Sequence, residues 1–157
     1  MLVNKNLVFT NSDLISKEQI LEFLAKKAFE ENLINDISSY VKAVEDREKI
    51  FSTAVGYHVS IPHGKSESVM KPFIAFLRTS QKIHWDNNDN RDDLVDLIFL
   101  IGVPEEKSQK LHLKILASIS KKILNESFKE KLTNASTDEA FELLREIELN
   151  VERGIDQ

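Results

Sequence analysis

The chain of 157 residues has no cysteine. Disulfide frameworks, thiolate zinc sites and cysteine nucleophiles are therefore excluded. Glycine and proline are scarce, at four and three residues, which leaves little room for long loops. No low-complexity linker and no internal repeat divides the chain. The longest apolar run, residues 97–101, is far shorter than the roughly 20 residues a membrane helix needs. The first ten residues, "MLVNKNLVFT", hold no signal-peptide core, so a cytoplasmic location is the default expectation. The 21 basic residues are scattered in a chain of net charge −5, and no basic, aromatic-interleaved patch marks a nucleic-acid surface. Neither GxxxxGK[ST] nor GxGxxG occurs, and neither H-x-x-x-H nor H-E-x-x-H does. No nucleotide cofactor and no metal is expected on those grounds.

What is present is the composition of a globular protein, 41% hydrophobic and 30% charged, of a length that suits one domain with a real core. We expect that domain over residues 1–150, followed by a polar, frayed tail over 151–157. Residues 16–31 read as a helix capped by Ser16, with Gln19 at capping-box spacing and Ile20, Leu24 and Ala28 on one face. A second helix starts at Asp36, and its stripe of Ile37, Tyr40, Val41 and Val44 continues to Phe51. Residues 73–77 and the run "DLVDLIFLIGVP" read as strands covered on both faces, the latter stopped by Gly102 and Pro104. Residues 59–61 are a third, short strand, and "QKIHW" opens with a fourth before a polar turn region. Helices follow: a long one after Pro104 with Leu111, Ile115, Leu116, Ile119 and Ile123 in register, a short one over 126–134, and a last one with Ser136 and Glu139 at capping-box spacing. Two helices, then strands, then helices make an α/β fold, a sheet flanked by helices, the economical arrangement.

Few residues here suit chemistry. His63 lies between Pro62, which fixes its own φ and holds Ile61 extended, and Gly64, which lets the chain turn. It is expected at the end of a strand, where sites in open α/β sheets gather; a His packed for structure in a turn is the alternative. Arg47, three residues after Val44, falls beside the apolar stripe of its helix. It either faces an anion, or it snorkels outward or pairs with Glu48 or another local carboxylate. His112 shares the inward face of its helix with Ile115, Leu116 and Ile119, as a ligand-side residue or as a hydrogen-bonded core His. His58 and His84 are read as structural, His84 in a loop beside Trp85.

The segment "REKIFSTAVGYHVSIPHGK" resembles the active-site segment of the fructose/mannitol-type enzyme IIA components of the bacterial sugar phosphotransferase system. The matching residues are Arg47-Glu48, Ser52-Thr53, Gly56 and Ile61-Pro62-His63-Gly64. The likeness runs on through "KPFIAFLRTSQKIHW", "VDLIFLIGVPEE" and "LHLKILASISKKIL", where His112 stands at the family's second His, and ends in "SFKEKLTNASTDEAFELL". His58, Ser60 and Ala54 stand where the family more often has Gly, Ala and Gly. The resemblance implies a mixed central sheet with helices on both faces. It implies that His63 is the phosphoacceptor, that Arg47 and His112 support the phosphoryl group, and that Thr53 belongs to the site. It also implies HPr as phosphoryl donor and an enzyme IIB as acceptor for sugar uptake, with a nitrogen-type regulatory enzyme IIA as the alternative. A neutral imidazole suits such a role near pH 7, and phosphoryl transfer asks chiefly for positioning and charge stabilisation.

Overall fold

The protein is described by a computed structural model covering residues 2–86, 93–106 and 109–155, with side chains as far as 153. The chain opens with a strand, β1 (Val3–Ser12), and not with a helix. Two helices follow, α1 (Lys17–Glu30) and α2 (Ile37–Ile50), then β2 (Ala54–Gly56), β3 (Val59–Ser60), β4 (His63–Ser66), β5 (Phe73–His84) and β6 (Leu94–Pro104). Helices α3 (Gln109–Ile123), α4 (Glu126–Asn134) and α5 (Thr137–Ile155) close the described chain.

The capping signals act where the sequence puts them. Ser16 Oγ accepts from the Gln19 N–H at 3.2 Å, and Asp36 Oδ1 accepts from the Ser39 N–H at 3.0 Å. Ser136 and Glu139 exchange both bonds of a capping box, each at 3.2 Å. Helix α1 stops because Asn32 takes a positive φ of 60° and the Leu33 N–H turns back to the Ala28 carbonyl at 2.9 Å.

The sheet has the order β1-β5-β6-β3-β2, with β4 also paired to β6. It is mixed: β1 runs parallel to β5, β5 antiparallel to β6, and β3 and β4 parallel to β6. Each face carries its own core. Ile20, Leu24, Tyr40 and Val44 of α1 and α2 pack on one face. Ile115, Ile119, Phe128, Leu144 and Val151 of α3, α4 and α5 pack on the other. This is the α/β sandwich expected, with helices on both faces.

Several expectations are corrected. The apolar stripe of α2 ends at Val44; Phe51 lies past the helix in extended backbone and is 63% exposed. Gly102 does not stop β6, which continues to Pro104; it is the bare position against which the Phe73 ring lies, where a Cβ would come within 2.2 Å of that ring. His84 is the last residue of β5, and its Nδ1 lies 2.9 Å from the buried Asp93 carboxylate. The polar turn expected after it, residues 87–92, falls outside the described residues. Helix α5 runs through Ile155 with Val151 buried, so a frayed tail does not begin at 151.

Candidate active site

His63 opens β4, a strand that continues the line of β3 along the same edge of β6. Pro62 interrupts that line, because it has no N–H for the ladder; its carbonyl still accepts from the Ile101 N–H at 3.0 Å. Strand alternation then sorts the side chains. Val59 and Ile61 face the α3 side, and His63 follows them. Gly64 faces α2, where a Cβ would lie 2.9 Å from Val44 Cγ2. Gly64 is thus a strand residue that admits a close helix, not the turn expected from its place after Pro-His.

The His63 side chain is buried, and its Nδ1 lies 2.9 Å from the Ile61 carbonyl oxygen. A carbonyl only accepts, so Nδ1 carries the proton and Nε2 keeps the lone pair. Burial lowers the pKa of His63 below its usual 6.5. The hydrogen bond to Ile61 opposes this, Arg47 adds to it, and Glu48 opposes it. Burial favours the neutral ring, and the bond to Ile61 leaves Nε2 as its unprotonated nitrogen.

His112, in the first turn of α3, brings its ring centroid to 4.8 Å from that of His63 at an angle of 60°. Its Nδ1 is buried and has no hydrogen-bond partner. Burial, then electrostatic interaction with the His63 ring and the cations Lys65 and Arg47, pulls its pKa from 6.5 to about 4. A pKa of about 4 leaves the ring neutral at pH 7, and its Nδ1 lacks the hydrogen bond that the core reading expected there.

A cleft of about 570 Å³ opens over His63. Arg47, Phe51, Thr53 and Val55 line it from one side, Leu116 and Ser120 of α3 from the other. Arg47 does not pair with Glu48. Its Nη1 donates to the Phe51 carbonyl at 2.7 Å, at the end of α2. Thr53 is buried, and its hydroxyl donates to Glu48. The cleft therefore brings together His63, Arg47 and Thr53, and His112 stands beside it, ring to ring with His63. His58 stands apart as a structural residue, its Nδ1 3.0 Å from the Leu94 carbonyl. Sequence reasoning gave the two α3 residues on the cleft wall no part in the site, and it named Glu48 in the matching segment without giving it a role there. Among the described residues no group of three or more His, Asp or Glu could hold a metal ion. No helix among them is long and apolar enough to cross a membrane.

The chain is similar in sequence and in fold to proteins of one kind. Its sequence is 33% identical over 127 residues to the "PTS system fructose-like EIIA component" of Escherichia coli K12, covering 81% of this chain and 84% of that one. It is 39% identical over 123 residues to the "Nitrogen regulatory protein" of Bradyrhizobium diazoefficiens, covering 78% and 77%. In structure it matches the nitrogen regulatory protein IIA-Ntr of Neisseria meningitidis, with a TM-score of 0.77 and 26% identity over 91% of this chain and 96% of that one. It matches the E. coli mannitol IIA with a TM-score of 0.76, 24% identity, and coverage of 92% and 99%. Residues 1–147 match the family described as "Phosphoenolpyruvate-dependent sugar phosphotransferase system, EIIA 2". The chain belongs to that family, and with the family goes its reaction class: it is an EIIA phosphotransferase component.

Proposed function

We propose that this EIIA accepts a phosphoryl group from phospho-HPr on Nε2 of His63 and hands it to an enzyme IIB in the cytoplasm, for uptake of a sugar of the fructose type. The observation that carries this reading is the bond from His63 Nδ1–H to the Ile61 carbonyl. It leaves one nitrogen, Nε2, able to attack phosphorus, in a residue that lines a cleft. The transfer balances without a free proton. The P–N bond of a donor phosphoimidazolium breaks and its ring leaves neutral. The new P–N bond forms at Nε2, and the His63 ring takes the positive charge, with its Nδ1 proton still held by Ile61.

The phosphoryl oxygens then need donors. Arg47 offers a guanidinium fork and His112 an imidazole N–H within reach of the same ring. The cleft rim is apolar, with Phe51 and Val55 63% and 48% exposed. That suits a phosphoryl group that must pass between proteins without meeting water. Tyr57, 56% exposed at the tip of the β2–β3 hairpin with Lys129 Nζ 5.8 Å from its ring centroid, extends this rim. Val59 is core. Among the structural matches is a complex of mannitol IIA with phosphorylated mannitol IIB, at 23% identity; it supports the fold and the kind of acceptor.

Incubation with enzyme I, HPr and phosphoenolpyruvate should place one acid-labile phosphoryl group on His63. The His63→Ala variant should take none while its circular dichroism is unchanged; full labelling of that variant would refute the assignment. A regulatory role is the second reading, favoured by the 39% identity to a nitrogen regulatory protein. A labelled protein that passes nothing to a fructose-type IIB would select it.

A further inference from the structure

Next to the candidate site lies a set of polar side chains that the transfer itself does not use. Glu48 is on the last turn of α2, and its side chain is only 5% exposed. Its carboxylate is nonetheless fully engaged. Oε1 accepts from the Thr53 hydroxyl, and Oε2 accepts from the Thr53 N–H at 3.4 Å and from Trp85 Nε1 at 3.3 Å. Lys17 Nζ, on α1, lies 3.7 Å from Oε2. Lys17 also reaches Asp86 at 3.4 Å, and Asp86 accepts from the Ser52 hydroxyl. One lysine thus joins two carboxylates, and these grip the consecutive residues Ser52 and Thr53.

Those two residues belong to the segment that leads from α2 across the sheet edge to β2. From Thr53 the bonds lead directly to the nucleophile. The Thr53 carbonyl accepts from the Ile61 N–H at 2.9 Å, and the Ile61 carbonyl accepts from His63 Nδ1–H at 2.9 Å. We propose that Glu48, braced by Lys17, Trp85 and Asp86, is the positioning residue for His63: it holds Thr53, Thr53 holds Ile61, and Ile61 holds the His63 ring in the tautomer that exposes Nε2. Glu48 does not touch the phosphoryl group. Arg47 and Glu48, adjacent on one helix end, divide the work, the first lining the cleft and the second fixing its wall. A buried carboxylate is costly unless its lone pairs are filled, and here they are. The bland alternative is a structural anchor that fastens α2 to Trp85, just past the end of β5, and has no bearing on His63.

The kinetic arm of the test rests on the reading of His63 as phosphoacceptor; the spectroscopic arm does not. Imidazole ¹⁵N shifts report the His63 tautomer in the free protein. In Glu48→Ala and in Thr53→Val, the second of which keeps the shape and removes only the hydroxyl, the His63 resonances should move from a single Nδ1–H form towards a mixture of tautomers. In the same proteins kcat for phosphoryl acceptance from phospho-HPr should fall about 10–100-fold, as for other partners that orient a reacting group, with KM for HPr unchanged. Glu48→Gln keeps one acceptor oxygen and should recover part of the rate. If both variants are folded, less stable, and keep the wild-type His63 tautomer, Glu48 is an anchor only and the proposal falls. If the tautomer shifts but no protein, wild type included, takes phosphate, the positioning role stands and the phosphoacceptor reading fails.

Discussion

An imidazole nitrogen buried without a partner is an expensive thing to keep, and His112 keeps one 4.8 Å, ring to ring, from His63. A phosphoryl oxygen on His63 would supply the missing partner. A side-chain amide can replace the N–H, so His112→Gln should retain most of the transfer rate. His112→Ala should lower it about 10²–10³-fold, the scale of losing one preorganised donor, with little change in melting temperature. Rapid-quench labelling and thermal unfolding of both variants check this; a lowered melting temperature with an intact rate would make His112 a core residue. The sign of its pH dependence is fixed by its pKa. The folded value, about 4, lies below the usual 6.5, so the unfolded chain binds the proton first. Stability should be flat above about pH 7 and should fall as pH drops from 6.5 towards 4, a slope that His112→Gln reduces. At this scale much was legible: His63, Arg47 and His112 sit in segments whose order resembles a known family. The role of Glu48 was not: it stands beside Arg47 in the same segment, but its meaning comes from Lys17 and Trp85, which are remote in the chain.

Elements were legible where periodicity and start signals coincide, as in α1, α2 and α5, which begin one residue after Ser16, Asp36 and Ser136, and α4 spans the expected 126–134. Strands were less so. In β1 the buried Val3, Leu7 and Val8 are separated by Asn4, Lys5 and Asn6, and its pairing with β5 shifts register between Val3 and Val8; the alternation that would reveal it is broken. β4 was hidden by Pro62, which reads as a turn signal and in fact divides one strand line in two. Gly64 shows what that misreading conceals. An added methyl there meets Val44 Cγ2 at 2.9 Å and the Val44 backbone nitrogen at 3.3 Å, so helix α2 itself must shift. Gly64→Ala should cost about 1–3 kcal/mol, the usual penalty of overpacking, read as a lower urea midpoint with an unchanged slope. Because the last turn of α2 carries Arg47 and Glu48, the variant's transfer rate should fall as well. A Gly serving only a turn would leave the rate of the folded protein intact.

On the scale of the molecule, the two faces of the sheet are separate cores, and the site lies at the sheet edge where elements from both meet. The pairing order could not be read in the sequence, since β1 lies beside β5 through contacts that cross more than 60 residues. Several side chains tie the start of the chain to the last helix: Thr10 meets Thr137, Lys5 meets Asp138, and one buried carboxylate grips the backbone. The buried Glu148 of α5 accepts from the Leu2 N–H and, at 3.0 Å, from the Val3 N–H. One turn further on, Val151 is 1% exposed and packs into the α3–α5 core. A chain ended at residue 150 would therefore lose a buried valine, worth about 1.5–3 kcal/mol, and would fray the turn that positions Glu148. For a chain of this length that is a drop of about 3–12 °C in Tm, at about 2–4 °C per kcal/mol. The cleft around His63 is lined by α3 and by the segment after α2, not by α5, so phosphoryl acceptance by the truncated protein should be near wild type below its melting range. Val151→Ala in the full chain should reproduce part of the loss. Equal melting of the full and shortened chains would mean that α5 is complete by residue 150 and that Val151 contributes nothing to the core.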